Sequence, residues 1–495
     1  MPNARGCPGH TRIPRVRREL ELSAAEAVSH MREGGLSAED YASALLARCE
    51  AGRHLGAFIS LSPGTVLEAA RAADGHRAAG GRLGPLHGLP LPVKDSVNTR
   101  DYPTTSGTAA LREYRPKEDA PVVRTLREAG AIVLGKTNLS EMSLGWSSTN
   151  ETFGAVRNPH DTERIPGGST GGTAVAVATQ MAPLGVAEDT CGSIRVPAAL
   201  CGIAGFRPTT GRYSPYGVMP LAPLFDTLGA QARTAGDLAL FDSVVTGEGS
   251  AQPTVLPRTV RLAIVRAHYF AGLDPEVERV TGEALSRLRD AGVTILEADL
   301  PDVTRLVEAA NFPIIFHDSV PSIRRYLAEF ETGVTFEQLL ARASPSVREN
   351  LEARSRPDGR LWISAEAYAA ARDVHRPALQ EAFRGYFRQT GAAAIVYPAT
   401  LVPATPIGED QEVVIGGEKV PLRTAMSRNV APGSCAGLPC LVLCAGFTRD
   451  GLPVGVEFDG PAGTDRELLA LGQTLEGILG RPATPTKRHA NPARR

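Results

Sequence analysis

The chain has 495 residues, with 53 Lys and Arg against 54 Asp and Glu, a formal net charge of −1. That balance supplies no basic field for nucleic acid or an anionic membrane, and neither is expected as a partner. With 42% hydrophobic residues, 51 Gly and 38 Pro, the chain is loop-rich yet long and apolar enough for a large globular core. Residues 1–21 read as a disordered Arg-rich terminus without the apolar core of a secretory signal. Ser23-Ala-Ala-Glu26 is a capping box opening a helix, and Ser37 to Asp40 opens a second. Val122 to Ala129 predicts a helix and Ala131 to Leu134 a strand. Helix and strand then alternate to about residue 245, which predicts an α/β sheet with crossover helices. Gly247 to Pro257 reads as a linker and Leu262 to Val265 as a strand. Residues 300–390 read as a mainly helical cover or insertion, Gly391 to Val396 and Leu441 to Ala445 as returning strands, and 481–495 as a disordered tail. A single domain is expected over 22–480.

Seven cysteines, an odd number without CxxC or Cys/His spacing, argue against a disulfide framework and against a zinc site. No apolar stretch is long and unbroken enough to span a bilayer, and a reducing cytoplasm fits the cysteine usage.

Three motifs bear on chemistry. Gly130-Ala-Ile-Val-Leu-Gly135-Lys136-Thr137 satisfies the P-loop expression, but its middle residues are a buried strand and leave no loop to cradle phosphate. It is expected to be a strand ending in a Gly-Lys-Thr turn. Gly167-Gly-Ser169-Thr-Gly171 satisfies the nucleophile-elbow expression, yet a poor strand precedes it and no oxyanion loop accompanies it. In Asp189-Thr-Cys-Gly-Ser193-Ile-Arg195, a serine sits in a small-residue turn whose backbone N–H groups suit a developing oxyanion, and Arg195 can pair with Asp189. Only five lysines stand beside 48 arginines, and Lys94 follows the apolar run Gly88-Leu-Pro-Leu-Pro-Val. A desolvated lysine can become a neutral base, which an arginine cannot.

Lys94 in Pro-Val-Lys-Asp, Gly-Lys-Thr-Asn at 135–138, Gly-Gly-Ser-Thr-Gly-Gly at 167–172 and Asp-Thr-Cys-Gly-Ser-Ile-Arg at 189–195 together resemble the amidase signature family in residues, order and spacing. The likeness runs from about residue 22 to 475. It implies a mixed central sheet flanked by helices and amide hydrolysis without metal or cofactor, by a Ser, cis-Ser, Lys triad. By motif position Ser193 is the implied acylated nucleophile, Ser169 the bridging serine after a cis peptide, and Lys94 the terminal base. Thr190, Cys191, Gly192 and Ser193 are the implied oxyanion hole, with Asp189, Arg195 and Thr170 supporting it. The family commonly has glycine at the Cys191 position, serine at Thr170 and a small or hydroxyl residue at Glu188. Residues 200–212, 429–434 and 455–463 resemble the mandelamide and indoleacetamide hydrolase branch, which implies a small, aryl-acetamide substrate. An amidotransferase subunit acting on charged tRNA, or an acyltransferase capturing the acyl-enzyme with an amine, stays open as an alternative, as does a homodimer.

Overall fold

The computed structural model describes residues 19–249, 254–409, 411–482 and 484–485. The ends expected to be disordered, 1–21 and 481–495, lie for the most part outside the described residues. The described strands are β1 (Phe58–Leu61), β2 (Pro90–Lys94), β3 (Ile132–Thr137), β4 (Leu184–Asp189), β5 (Ala204–Arg207), β6 (Thr227–Ala232), β7 (Arg261–Ile264), β8 (Thr294–Glu297), β9 (Ala394–Pro398), β10 (Glu412–Ile415), β11 (Glu418–Pro421), β12 (Cys440–Phe447) and β13 (Pro453–Asp459). Eleven form one sheet in the order β1-β3-β2-β4-β6-β5-β12-β13-β9-β7-β8, and β10 and β11 pair apart from it. β2 runs parallel to β3 and β4, and β7 parallel to β8 and β9. From β4 through β6, β5, β12 and β13 to β9 every pairing is antiparallel. The architecture is the mixed sheet flanked by helices that the resemblance implies.

Local chemistry accounts for the elements around the site. The helix Pro121–Glu128 starts on a proline, whose fixed φ and missing N–H suit a first turn, and it buries Val122, Val123 and Leu126. β3 follows it and is buried at all six positions, as a strand within a covered sheet must be. Gly135, Lys136 and Thr137 belong to this strand instead of forming the expected turn after it. The Lys136 ammonium donates to the Val97 carbonyl and to Thr104 Oγ1, both at 2.7 Å, and pairs with Asp95 at 3.4 Å. A lysine so engaged has nothing left for phosphate. Ser23 and Glu26 form the predicted capping box on Ala24–Glu33, and Ser37 accepts the Asp40 N–H ahead of Ala38–Ala51.

Residues 303–390 hold the helices Val303–Glu329, Phe336–Arg342, Pro345–Ser355, Ala365–Ala370 and Arg376–Thr390. Leu306, Ile314 and Ile315 of the first pack with Cys191 and Phe225, while its later Val320, Ile323 and Tyr326 pack with Phe336, Leu339 and Met142. This helix therefore covers the end of the sheet at which β4 terminates. No described helix is long and apolar enough to cross a membrane. Among the described residues Cys49, Cys191, Cys201, Cys435, Cys440 and Cys444 are unpaired and buried.

Candidate active site

The parallel pair β2 and β4, in register at Val93 and Val186, brings the carboxyl ends of both strands to one edge. Such an edge is where open α/β sheets bind ligands. Lys94 ends β2 and is fully buried. Its ammonium donates to Ser169 Oγ at 2.7 Å and to Glu188 Oε2 at 2.5 Å. The hydroxyls of Ser96 and Ser143 donate to the same Glu188 oxygen at 3.0 and 3.1 Å. Burial holds the lysine below its ordinary pKa, against the pull of Glu188 and, more weakly, of Asp189 and Asp226.

Ser169 follows a cis peptide bond to Gly168, as the resemblance implies. Its carbonyl accepts the Ser140 N–H and the Ser148 hydroxyl, each at 3.2 Å. The Thr170 N–H donates to the Ser193 carbonyl at 3.2 Å, and the Thr170 hydroxyl donates to the Glu188 carbonyl at 3.0 Å. These bonds lay residues 169–170 alongside the turn after β4, so the Lys94–Ser169 pair sits next to the backbone of Ser193 although 99 residue numbers separate Lys94 from Ser193.

The turn itself is built on Asp189. Its carboxylate accepts the N–H groups of Gly192 and Ile194 at 2.8 and 2.9 Å and the Arg195 guanidinium at 3.1 and 3.2 Å. Arg207 donates to the Asp189 carbonyl at 2.8 Å. Burial alone would raise this carboxyl, but Arg195 and Arg207 hold it well below the usual carboxylate range. Gly192 has φ +97° and a Cβ there would sit 2.6 Å from Val430 Cγ2, so glycine is required on both counts. Its N–H is spent on Asp189, which leaves Thr190, Cys191 and Ser193 as the backbone donors of the expected set that this bond does not occupy. Thr190 Oγ1 donates to Asp226 at 2.6 Å, and burial, with Glu188 nearby, pushes the Asp226 carboxyl up to about 6.

Thr190, Cys191 and Ser193 line a cavity of about 660 Å³ whose wall includes Trp146, Phe312 and Phe316. That size suits a small organic ligand. The Trp146 indole donates to the Cys191 carbonyl at 3.1 Å and stands edge-on to Phe312, ring centroids 6.5 Å apart. The Cys191 thiol accepts from Asn311 at 3.5 Å, and burial pushes it up to about 11, so it is not a ready thiolate.

Glu188, Ser96, Ser143, Trp146 and Asn311 were not among the residues expected at the site. Glu188 was visible as a charged residue in a position that is usually small. Its meaning depended on the β2–β4 register, which sequence spacing does not reveal. Cys440, Glu457 and Asp459 offer ligand atoms within 4.8 Å of one another, away from this cavity's lining. There the Arg195 guanidinium donates to Glu457, and the Tyr397 hydroxyl lies 3.0 Å from Glu457 and 2.7 Å from Asp459, so the cluster already holds a cation of its own.

The family model described as Amidase matches residues 40–469. The chain is 37% identical to indoleacetamide hydrolase of Agrobacterium vitis, over 92% of this chain and 97% of that one. It is 35% identical to mandelamide hydrolase of Pseudomonas putida, over 94% and 93% respectively. A crystal structure of an amidase, 30% identical, superimposes with a TM-score of 0.83 over 93% of this chain and the whole of the other.

Proposed function

The chain belongs to the amidase family of amide-hydrolysing enzymes, and from that premise we propose that Ser193 attacks a small carboxamide and carries the acyl group as an ester. In this reading the Ser193 hydroxyl proton passes to Ser169 Oγ while the Ser169 proton passes to neutral Lys94. The lysine returns a proton by the same route to the leaving nitrogen, which departs as ammonia or amine. Water then attacks the ester and loses its proton along the same relay, which returns that proton to Ser193 Oγ as the carboxylic acid departs. The N–H groups of Cys191 and Ser193, beside that of Thr190, serve the oxyanion, each such donor contributing roughly 2.7–4 kcal/mol in the transition state.

The observation that carries this reading is the 2.7 Å contact between fully buried Lys94 and Ser169, joined to Ser193 through the Thr170 backbone bond. The substrate is an aryl-acetamide. The aromatic wall of Trp146, Phe312 and Phe316 would reward ring burial at roughly 25 cal/mol per Å². Primary amides, from acetamide to indoleacetamide and mandelamide, assayed for ammonia release with a hydroxylamine trap, test it. Aryl-acetamides should turn over fastest and give a hydroxamate, and both Lys94→Ala and Lys94→Arg should lower kcat by several orders of magnitude. Near-normal turnover by the arginine variant would exclude a neutral lysine base.

A further inference from the structure

We propose that the amide this enzyme acts on carries an anionic group, a carboxylate or an oxyanion of similar size, on its acyl portion, and that Arg354 receives it. The inference rests on the cavity beside Ser193 being the substrate site. Arg354, on the helix Pro345–Ser355, lines that cavity and is 8% exposed. Its Nη1 donates to Ser319 Oγ at 3.0 Å, its guanidinium carbon lies 4.7 Å from the centre of the Phe316 ring, and its Nε is buried without a partner. No carboxylate among the described residues pairs with it.

The contrast with the other deeply buried arginines is sharp. Arg195 meets both Asp189 and Glu457, and Arg207 meets Asp189. A guanidinium taken out of water without a counter-charge is costly, and arginine cannot relieve the cost by giving up its proton near neutrality. Burial together with Arg423 and Arg360 lowers Arg354 to about 9, so it remains a cation at pH 7.

Its charged neighbours increase the demand for an anion. Arg423 lines the same cavity, is exposed, and stands 4.8 Å from the centre of the Phe312 ring. Of the acids on the cavity wall, Glu349 is taken by Arg360 at 3.0 Å, and Glu141 is buried and accepts the Ser344 N–H at 3.2 Å. Glu151 is exposed. The wall therefore offers two aromatic faces, each backed by a guanidinium that no carboxylate among the described residues neutralises. A ring bearing an acidic substituent satisfies both features at once, through stacking and a charge-assisted bidentate bond.

The test compares phenylacetamide with 3- and 4-carboxyphenylacetamide in the wild type and in Arg354→Gln. At least one carboxylated amide should exceed phenylacetamide in kcat/KM by about tenfold or more, chiefly through KM. Arg354→Gln should remove that advantage, lowering kcat/KM on the carboxylated amides about tenfold more than on phenylacetamide. Equal or better turnover of phenylacetamide by the wild type, or an equal loss on all three amides in the variant, overturns the proposal. Should Arg354→Gln fail to fold, the wild-type comparison stands without it, and Arg423→Gln, at an exposed position, should shrink the preference several-fold. If none of the amides releases ammonia, the proposed hydrolysis has failed separately. Calorimetry with 3- and 4-carboxyphenylacetate then decides the anion site: binding that Arg354→Gln abolishes supports it, and no binding to the wild type refutes it.

Discussion

A lysine whose ammonium lies 2.5 Å from a carboxylate and 2.7 Å from a hydroxyl is neutral only if burial disfavours charge more than the carboxylate favours it. The net displacement of Lys94 is downward, so burial wins, with Glu188 as the largest opposing influence. Asp189 and Asp226 act in the same sense as Glu188, and Asp189 is itself offset by Arg195 and Arg207. Replacing Glu188 with Gln removes the opposing charge but keeps an acceptor for Ser96 and Ser143. The ascending limb of kcat/KM against pH, which follows deprotonation of Lys94, should therefore move to lower pH in Glu188→Gln. A limb that stays in place or moves upward would show that Glu188 does not govern the lysine. At the same turn, the role proposed for Cys191 belongs to its backbone N–H, and its thiol accepts from Asn311. Cys191→Ala should keep activity within about tenfold, roughly 1.4 kcal/mol, whereas Ser193→Ala should lose nearly all of it. Mass spectrometry after treatment with a phosphonyl fluoride checks the assignment, and an adduct on Cys191 with Ser193 unmodified would reverse it.

At the scale of elements, the turn between β4 and the helix Arg195–Cys201 depends on one carboxylate that gathers two backbone N–H groups and three guanidinium N–H donors, two from Arg195 and one from Arg207. Asp189→Asn removes the charge that Arg195 and Arg207 share in a fully buried setting. Breaking a buried pair from one side costs about 3–5 kcal/mol, so urea unfolding should show a loss of that order. A loss under about 1 kcal/mol would mean that the turn is held by its packing. This turn was legible because its residues are contiguous, and the pairing of Asp189 with Arg195 follows from six residues of sequence. The first half of β3 was legible for a similar reason, since Ile132 to Leu134 is a continuous apolar run, whereas its Gly-Lys-Thr end reads as a turn until the strand pairing is known. The hairpin β10–β11 was missed although Gly416-Gly417 marks its two-residue turn, because its strands are short and half exposed. The Lys94–Glu188 contact could not be read locally, since it joins two strands 94 positions apart. Nor could Arg354, an arginine among many on an exposed-looking helix, until the cavity gave it a neighbourhood.

Across the whole molecule, pH acts on stability through buried carboxyls. Glu457 on β13 is fully buried, and burial pushes its carboxyl up, with Arg195 opposing and Asp459 reinforcing the rise. In the unfolded chain the same group titrates near about 4.3. From there up to its raised folded value the folded protein holds a proton that the unfolded chain has released, so stability falls as pH rises through that window. Asp459 and Asp226 are also raised and act with the same sign. His268, lowered to about 4 chiefly by burial, acts with the opposite sign, its contribution being lost as pH falls below the unfolded value of about 6.5. Asp226 and His268 are common to wild type and to Glu457→Gln and so largely cancel when the two are compared, while the shift of Asp459 changes with its partner and belongs to the difference. The glutamine imitates the protonated acid: its oxygen can accept from Arg195, and its amide N–H can donate toward Asp459. Glu457→Gln should therefore gain on the wild type as pH rises from 5 to 8.5, seen in calorimetric unfolding as a Tm difference that grows steadily in the variant's favour. A difference that is flat or shrinks with rising pH would mean that Glu457 is ionised in the folded protein and that Arg195, not a shared proton, carries its charge.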